Sequence, residues 1–161
     1  MKSHNITFTV NGSVRQAQAD PRMTLLDCLR DILKLTGTHM GCEHGVCGAC
    51  SITVNGEAVR GCLMLAVQAQ GQDIETVEGL CEEDGSPGIL QEAFRDAHGL
   101  QCGYCTPGML MSAHALLLVT PDPTVDEICE AIGGNICRCT GYAQIIDSIL
   151  LAADRLKECS R

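Results

Sequence analysis

Twelve cysteines in 161 residues constrain this chain more than any other feature of its sequence. The N-terminus reads MKSHN and has no apolar signal segment, so we expect a cytoplasmic protein. In a reducing compartment so many thiols do not form a disulfide framework, and metal binding or catalysis is the leading interpretation. Four of the twelve have no partner at ligand spacing and are predicted to be structural or incidental, namely Cys28, Cys81, Cys129 and Cys159.

The first group of cysteines lies in a glycine-rich segment. Cys42, Cys47 and Cys50 form the pattern C-x4-C-x2-C, and Cys62 follows after eleven intervening residues. The three-cysteine spacing is typical of the plant-type [2Fe–2S] site. Zinc is a weaker alternative that the spacing leaves open, because zinc favours paired cysteines around a tetrahedron. Three glycines would let backbone N–H groups approach the cluster sulfurs, namely Gly41, Gly45 and Gly48.

The second group consists of two close pairs. Cys102 and Cys105 have two residues between them, and Cys137 and Cys139 have one. Each pair directly precedes a predicted helix start. Free N–H groups and the partial positive charge at a helix N-terminus favour thiolates and an anionic cluster. These four cysteines are therefore predicted to hold a second iron–sulfur cluster.

The first half of the chain has the alternation and turn signals of β-structure. Ile6–Val10 alternates and is followed by Asn11-Gly12, a two-residue hairpin signal. Asn55-Gly56 repeats that signal between two short strands. Thr24–Leu33 carries an apolar stripe at helical spacing and is predicted to form a helix. Further strands are predicted at 14–19, 51–54, 57–60 and 73–77.

The second half has helical periodicity, beyond an acidic and turn-rich segment at 79–88. Four helices are predicted. The first is Ile89–His98, and the second is Pro107–Val119 with Thr106 as its cap. The third starts at the capping box of Thr124 and Glu127, and the fourth is capped by Thr140. The chain is therefore predicted to be α+β, with a β-rich domain over residues 1–80 and a helical domain over residues 81–161.

Charge and hydropathy exclude two classes of partner. The formal net charge is −9, whereas binding to nucleic-acid phosphates needs clustered Lys and Arg. We therefore expect no nucleic-acid partner. The longest aliphatic run, Ala115–Val119, is too short to cross a bilayer, so no membrane association is expected.

Three stretches together resemble a known family. They are GCEHGVCGAC at 41–50, QCGYCTPG at 101–108 and GNICRCTGY at 134–142. The sequence resembles the small iron–sulfur subunit of the molybdenum hydroxylases, the xanthine oxidase family, over about residues 5–157. The resemblance implies an N-terminal ferredoxin-like β-grasp domain and a C-terminal four-helix-bundle domain, each with one [2Fe–2S] cluster.

For function, the resemblance implies an electron-transfer role in a hetero-oligomeric oxidoreductase. Electrons would pass from the molybdenum cofactor of a large subunit to the C-terminal cluster, then to the N-terminal cluster and to the FAD of a medium subunit. The positions matching Gln101 and Cys139 contact the molybdopterin in this family. No catalytic residue is expected in this chain, because its role is to remove electrons from molybdenum.

Two other functions remain as alternatives. The first is a free-standing two-cluster carrier, which would need no apolar docking face. The second is a zinc-binding interaction module, which would be colourless where an iron–sulfur protein is red-brown. Metal content separates all three possibilities.

Overall fold

The N-terminal half of the chain is a five-stranded sheet. In the computed structural model, which describes residues 3–159, the strands are β1 (His4–Val10), β2 (Ser13–Ala19), β3 (Ser51–Val54), β4 (Glu57–Arg60) and β5 (Asp73–Glu75). Their order across the sheet is β2-β1-β5-β3-β4, with β1 parallel to β5 and the other neighbours antiparallel. The predicted strands are confirmed, except that the last ends at Glu75 because residues 77–80 form a 3₁₀ turn.

Both hairpins turn on the predicted Asn-Gly pairs. Asn11 and Gly12 have φ values of 49° and 72°, and Asn55 and Gly56 have 52° and 83°. Positive φ at both central residues is the requirement of the type I′ turn, whose twist matches that of the flanking strands. The residues on either side of each turn pair directly, so these turns set the register of both hairpins.

A helix of the N-terminal half packs against the sheet. It begins as α1 (Leu25–Asp27) and continues as a wider π-type turn over Cys28–Ile32. The Thr24 hydroxyl caps it by accepting from the Asp27 N–H at 3.1 Å. This confirms the predicted helix to within one residue at each end. The buried core between helix and sheet includes Ile6, Phe8, Val10, Leu25, Leu29, Ile52 and Ile74.

The C-terminal half is helical, as predicted. Its helices are α2 (Ile89–Asp96), α3 (Thr106–Val119), α4 (Val125–Ile132) and α5 (Ala143–Cys159). Their shared core includes Leu90, Phe94, Met109, Leu110, Ile128, Ile132, Ile145 and Ile149. Within residues 3–159, no helix is long and apolar enough to cross a membrane.

Two of the predicted helix caps are wrong. Thr106 is the first residue of α3 and does not cap it; Cys105 occupies the cap position. Thr140 does not start α5, which begins only at Ala143. The intervening Gly141 and Tyr142 have φ values of 68° and 70°, and such a left-handed conformation cannot be part of an α-helix.

The described residues form two large hydrophobic cores. We name the part of the chain around the first core the N-terminal lobe (residues 3–75) and the part around the second the C-terminal lobe (residues 89–159). Val77 and Leu80, in the segment between them, pack partly against the second core. The domain limits of 1–80 and 81–161 stay a prediction.

Candidate iron–sulfur sites

The N-terminal site (Cys42, Cys47, Cys50 and Cys62) is built mainly on a loop over residues 36–50 that contains no helix or strand. Three loop residues have positive φ, namely Glu43 at 59°, Gly45 at 83° and Gly48 at 73°. A Cβ added to Gly41 would lie 2.8 Å from the Cys47 sulfur. These glycines therefore allow the backbone to close around the sulfurs, which is the role the sequence predicts for them.

The four thiols of the N-terminal site form two pairs. The Cys42 and Cys47 side chains are in hydrogen-bonding contact, and the Cys47 backbone N–H also donates to the Cys42 sulfur at 3.3 Å. Cys50 and Cys62 are in hydrogen-bonding contact, and both are buried in a small apolar cluster with Leu26. A two-iron cluster with four cysteine ligands takes two thiolates per iron, so contacting pairs are the arrangement it needs.

The two pairs differ in their electrostatic environment. Backbone N–H groups of Cys47 and His44 lower the pKa of Cys42 to about 6. Burial raises the pKa of Cys50 to about 11, with further contributions from the neighbouring Cys62 and Cys47 thiols. One pair thus lies in a polar, N–H-rich environment, and the other is shielded from water.

The four thiols of the C-terminal site (Cys102, Cys105, Cys137 and Cys139) line one cavity of about 180 Å³. Cys105 contacts Cys137, and Cys102 contacts Cys139, so each pair joins one cysteine of the first motif to one of the second. Burial raises the pKa of Cys105 to about 12. Cys105 also occupies the N-cap position of α3, which confirms one of the two helix N-termini predicted next to this site.

Cys137 is held by the residues that follow it. Burial raises its pKa, but the Thr140 hydroxyl, 3.2 Å from the sulfur, and nearby backbone N–H groups lower it to a net value of about 7. The Tyr142 hydroxyl accepts from the Cys137 N–H at 2.8 Å and donates to the Asn135 carbonyl at 3.1 Å. Thr140 is predicted to cap a helix, but its hydroxyl contacts the Cys137 sulfur, and together with Tyr142 it fixes the ligand loop.

The residues present fit a two-iron cluster at each site. Among the described residues, the four thiols of each site lie as two contacting pairs, which is the arrangement that two irons with two thiolates each require. Over the same residues, two buried side-chain oxygens have no hydrogen-bond partner, those of Thr38 and Thr106. Thr38 lies four residues before Cys42, and Thr106 directly follows Cys105. A bound cluster would supply sulfur acceptors for such hydroxyl groups.

The two sites are neighbours. The Ile136 N–H donates to the carbonyl of Cys47 at 2.9 Å. Cys47 also lines the cavity of the C-terminal site. The Tyr104 hydroxyl donates to the Met40 carbonyl, which links the Cys102–Cys105 segment to the loop before Cys42. The two ligand loops are therefore joined directly by hydrogen bonds.

Gln101, for which the family resemblance implies a pterin contact, is exposed immediately before Cys102. Cys139, the other residue with that expected role, is also exposed and lines the C-terminal cavity together with Cys102. The pterin contact of both residues stays a prediction.

The iron-free chain is expected to be alkylated first at Cys42. With a pKa of about 6, this thiol is mostly thiolate at neutral pH, whereas Cys50 with a pKa of about 11 stays protonated. Brief iodoacetamide treatment from about pH 5 to about pH 10, followed by peptide mass spectrometry, measures the alkylation rates of Cys42 and Cys50. Circular dichroism controls for retention of the fold. Equal rates with one common midpoint near pH 9, the ordinary thiol value, would contradict the assigned environments.

Comparisons with known proteins identify the domain family of each half of the chain. Residues 8–77 match the model of a 2Fe-2S iron-sulfur cluster binding domain, and residues 76–150 match that of a [2Fe-2S] binding domain. The caffeine dehydrogenase subunit gamma of Pseudomonas sp. (strain CBB1) is 56% identical over 154 residues, which cover 92% of this chain and 90% of the relative. The nicotine 6-hydroxylase small subunit of Paenarthrobacter nicotinovorans is 53% identical, over 94% of this chain and 90% of the relative.

A solved structure agrees with the fold as well. Quinoline 2-oxidoreductase from Pseudomonas putida 86 superposes with a TM-score of 0.93 and 48% identity, over 98% of both chains. Fold and thiol arrangement thus define a protein with two [2Fe–2S] domains. The chain belongs to the family of small iron–sulfur subunits of the molybdenum hydroxylases, and it is the electron-transfer subunit of a multi-subunit oxidoreductase. The predicted fold class, family and pair of clusters are confirmed.

Proposed function

We propose that this chain passes single electrons from the molybdenum cofactor of a large subunit to the FAD of a medium subunit. The C-terminal site would receive the electron, and the N-terminal site would pass it on. The observation that carries this proposal is the hydrogen bond from the Ile136 N–H to the Cys47 carbonyl, because it joins the two four-thiol sites within one chain.

The proposed ligands are the eight cysteines of the two sites, and the contacts within each site suggest which thiols share an iron. We assign the pairs as Cys42 with Cys47, Cys50 with Cys62, Cys105 with Cys137, and Cys102 with Cys139. When bound, a [2Fe–2S] cluster accepts and releases one electron at a time, at a potential set by hydrogen bonds and burial. The residues of this chain supply those hydrogen bonds, and they bury Cys50 and Cys62 away from water.

Exposed apolar side chains around the sites support two docking partners. Val46 and Leu63, at the N-terminal site, are 58% and 64% exposed. Tyr104 and Ile136, at the C-terminal site, are 51% and 52% exposed. Such side chains near an electron-transfer site are typical of a surface that another protein covers. The C-terminal surface would face the large subunit, where Gln101 and Cys139 would meet the pterin.

The substrate would bind in the large subunit. The relatives described above are named for caffeine and nicotine, which are both nitrogen heterocycles. We therefore propose that the complex hydroxylates a nitrogen heterocycle. A cytoplasmic location is supported by the twelve cysteines, none of which is in a disulfide in the described part of the chain.

Metal analysis of the complex from its native host tests the proposal. We expect about four irons per chain, with close to one molybdenum on a co-purifying large chain and FAD on a medium chain. Four irons without molybdenum or partners would indicate a free-standing carrier. Zinc in place of iron would overturn both cluster assignments.

A further inference from the structure

The two lobes meet at a buried polar contact centred on Asn135, which is 1% exposed. Its Nδ2 donates across the lobe boundary to the Gly48 carbonyl at 3.0 Å and to the Ser51 hydroxyl at 3.0 Å. Its Oδ1 accepts from the Ser112 hydroxyl, within the C-terminal lobe, at 2.9 Å. Both amide hydrogens are used, so this side chain has one defined orientation.

The position of this contact relates it to both sites. Asn135 lies two residues before the ligand Cys137, and Gly48 lies directly after the ligand Cys47. The Ile136 N–H to Cys47 carbonyl bond runs beside it, and Arg60 adds a bond of 2.7 Å to the Gly134 carbonyl. The Asn135 amide is thus the fully buried part of a contact that joins the two ligand loops.

An apolar side chain at this position would need no hydrogen bonds of its own, but it would leave the Ser112 hydroxyl without the acceptor that Asn135 provides. The net stability gained from each bond of the amide is modest, because the amide must first lose its bonds to water. What it adds is direction, since its bonds form only when Gly48 and Ser51 lie at one distance and angle. The contact therefore specifies the relative position of the two loops.

We propose that Asn135 is a positioning residue for electron exchange between the two clusters. Its amide fixes the loop that contains Cys47 against the loop that contains Cys137. Electron exchange slows steeply as two redox centres move apart or lose a connecting bond. The inference rests on the cluster assignments proposed above.

The test compares Asn135→Leu with the natural chain in the assembled complex. Leucine has the same branched arrangement of side-chain heavy atoms, is larger than asparagine and makes no hydrogen bonds. After rapid reduction, freeze-quenched electron paramagnetic resonance follows how fast the electron redistributes between the two clusters, which have separate signals. We expect unchanged iron content and a rate several-fold lower, because the two loops would no longer be held at one distance. A rate equal to that of the natural chain would overturn the proposal.

Ser112→Ala is the matched control. It removes one hydrogen bond of the same buried amide but keeps both bonds across the lobe boundary. We expect a smaller loss of thermal stability than in Asn135→Leu, with an unchanged exchange rate. An equal slowing in Ser112→Ala would show a general loss of stability and would overturn the positioning role.

A second variant keeps the test decisive if Asn135→Leu loses iron. Asn135→Ser is smaller and polar, and its hydroxyl is too short to reach Gly48 and Ser51 together. We expect it to bind both clusters and to exchange electrons more slowly, and exchange at the natural rate would again overturn the proposal. Failure of the cluster assignments would look different, because the natural chain itself would then lack one of the two signals.

Discussion

Replacing Cys137 with serine is expected to remove the C-terminal cluster, abolish turnover and leave the N-terminal cluster assembled. Cys137 is one of the four thiols that line the C-terminal cavity, and hydrogen bonds from Thr140 and from backbone N–H groups hold its pKa at about 7 despite burial. A serine hydroxyl remains protonated at that pH and is a poor iron ligand. Electrons on molybdenum would then have no route to the N-terminal site.

The measurement is iron per chain together with the two resonance signals. Iron should fall from about four to about two per chain, and only the N-terminal signal should remain. Cys129→Ser is the matched control, because Cys129 is exposed on α4 and belongs to neither site. Full activity in Cys137→Ser would contradict the electron route, and loss of both signals would contradict the independence of the two sites.

The elements predicted correctly are those that local physics determines. The Asn11-Gly12 and Asn55-Gly56 turns need only their own backbone preferences, and both have the positive φ values of type I′ turns. The capping box at the start of α4 likewise depends on two residues three apart, and both of its hydrogen bonds are present. The cysteine spacings predicted the two [2Fe–2S] domains for a similar reason, because a cluster constrains its ligands over short stretches of chain.

The features of the two sites that local sequence patterns did not predict depend on contacts between distant segments. Asn135 binds residues more than eighty positions away, and nothing in the local pattern distinguishes it from a surface asparagine. Thr140 resembles a helix cap, yet the left-handed Gly141 and Tyr142 delay α5, and the Tyr142 hydroxyl binds the Cys137 backbone instead. The pairing of thiols across the C-terminal site was also hidden, since it joins two motifs more than thirty residues apart.

Gly48→Ala is expected to destabilise the chain far more than the same change at Gly12. The two glycines have nearly the same φ, 73° and 72°, so both variants bear the same cost of about 1 kcal/mol for a left-handed alanine. An added Cβ at Gly12 would meet nothing within 4 Å, whereas at Gly48 it would lie 2.5 Å from the Gly134 carbonyl oxygen and 2.8 Å from the Asn135 Cα. The difference between the variants therefore isolates the packing of the two ligand loops.

Both obstructing atoms at Gly48 belong to the backbone of the opposite loop and cannot rotate away. Overpacking of this kind adds about 3 kcal/mol to the backbone cost. The temperature at which visible absorbance is lost should therefore fall by about 12 °C in Gly48→Ala and by about 3 °C in Gly12→Ala. Equal shifts in the two variants would mean that the lobes separate easily at this contact. The loop positions would then have to be fixed by the clusters rather than by the protein.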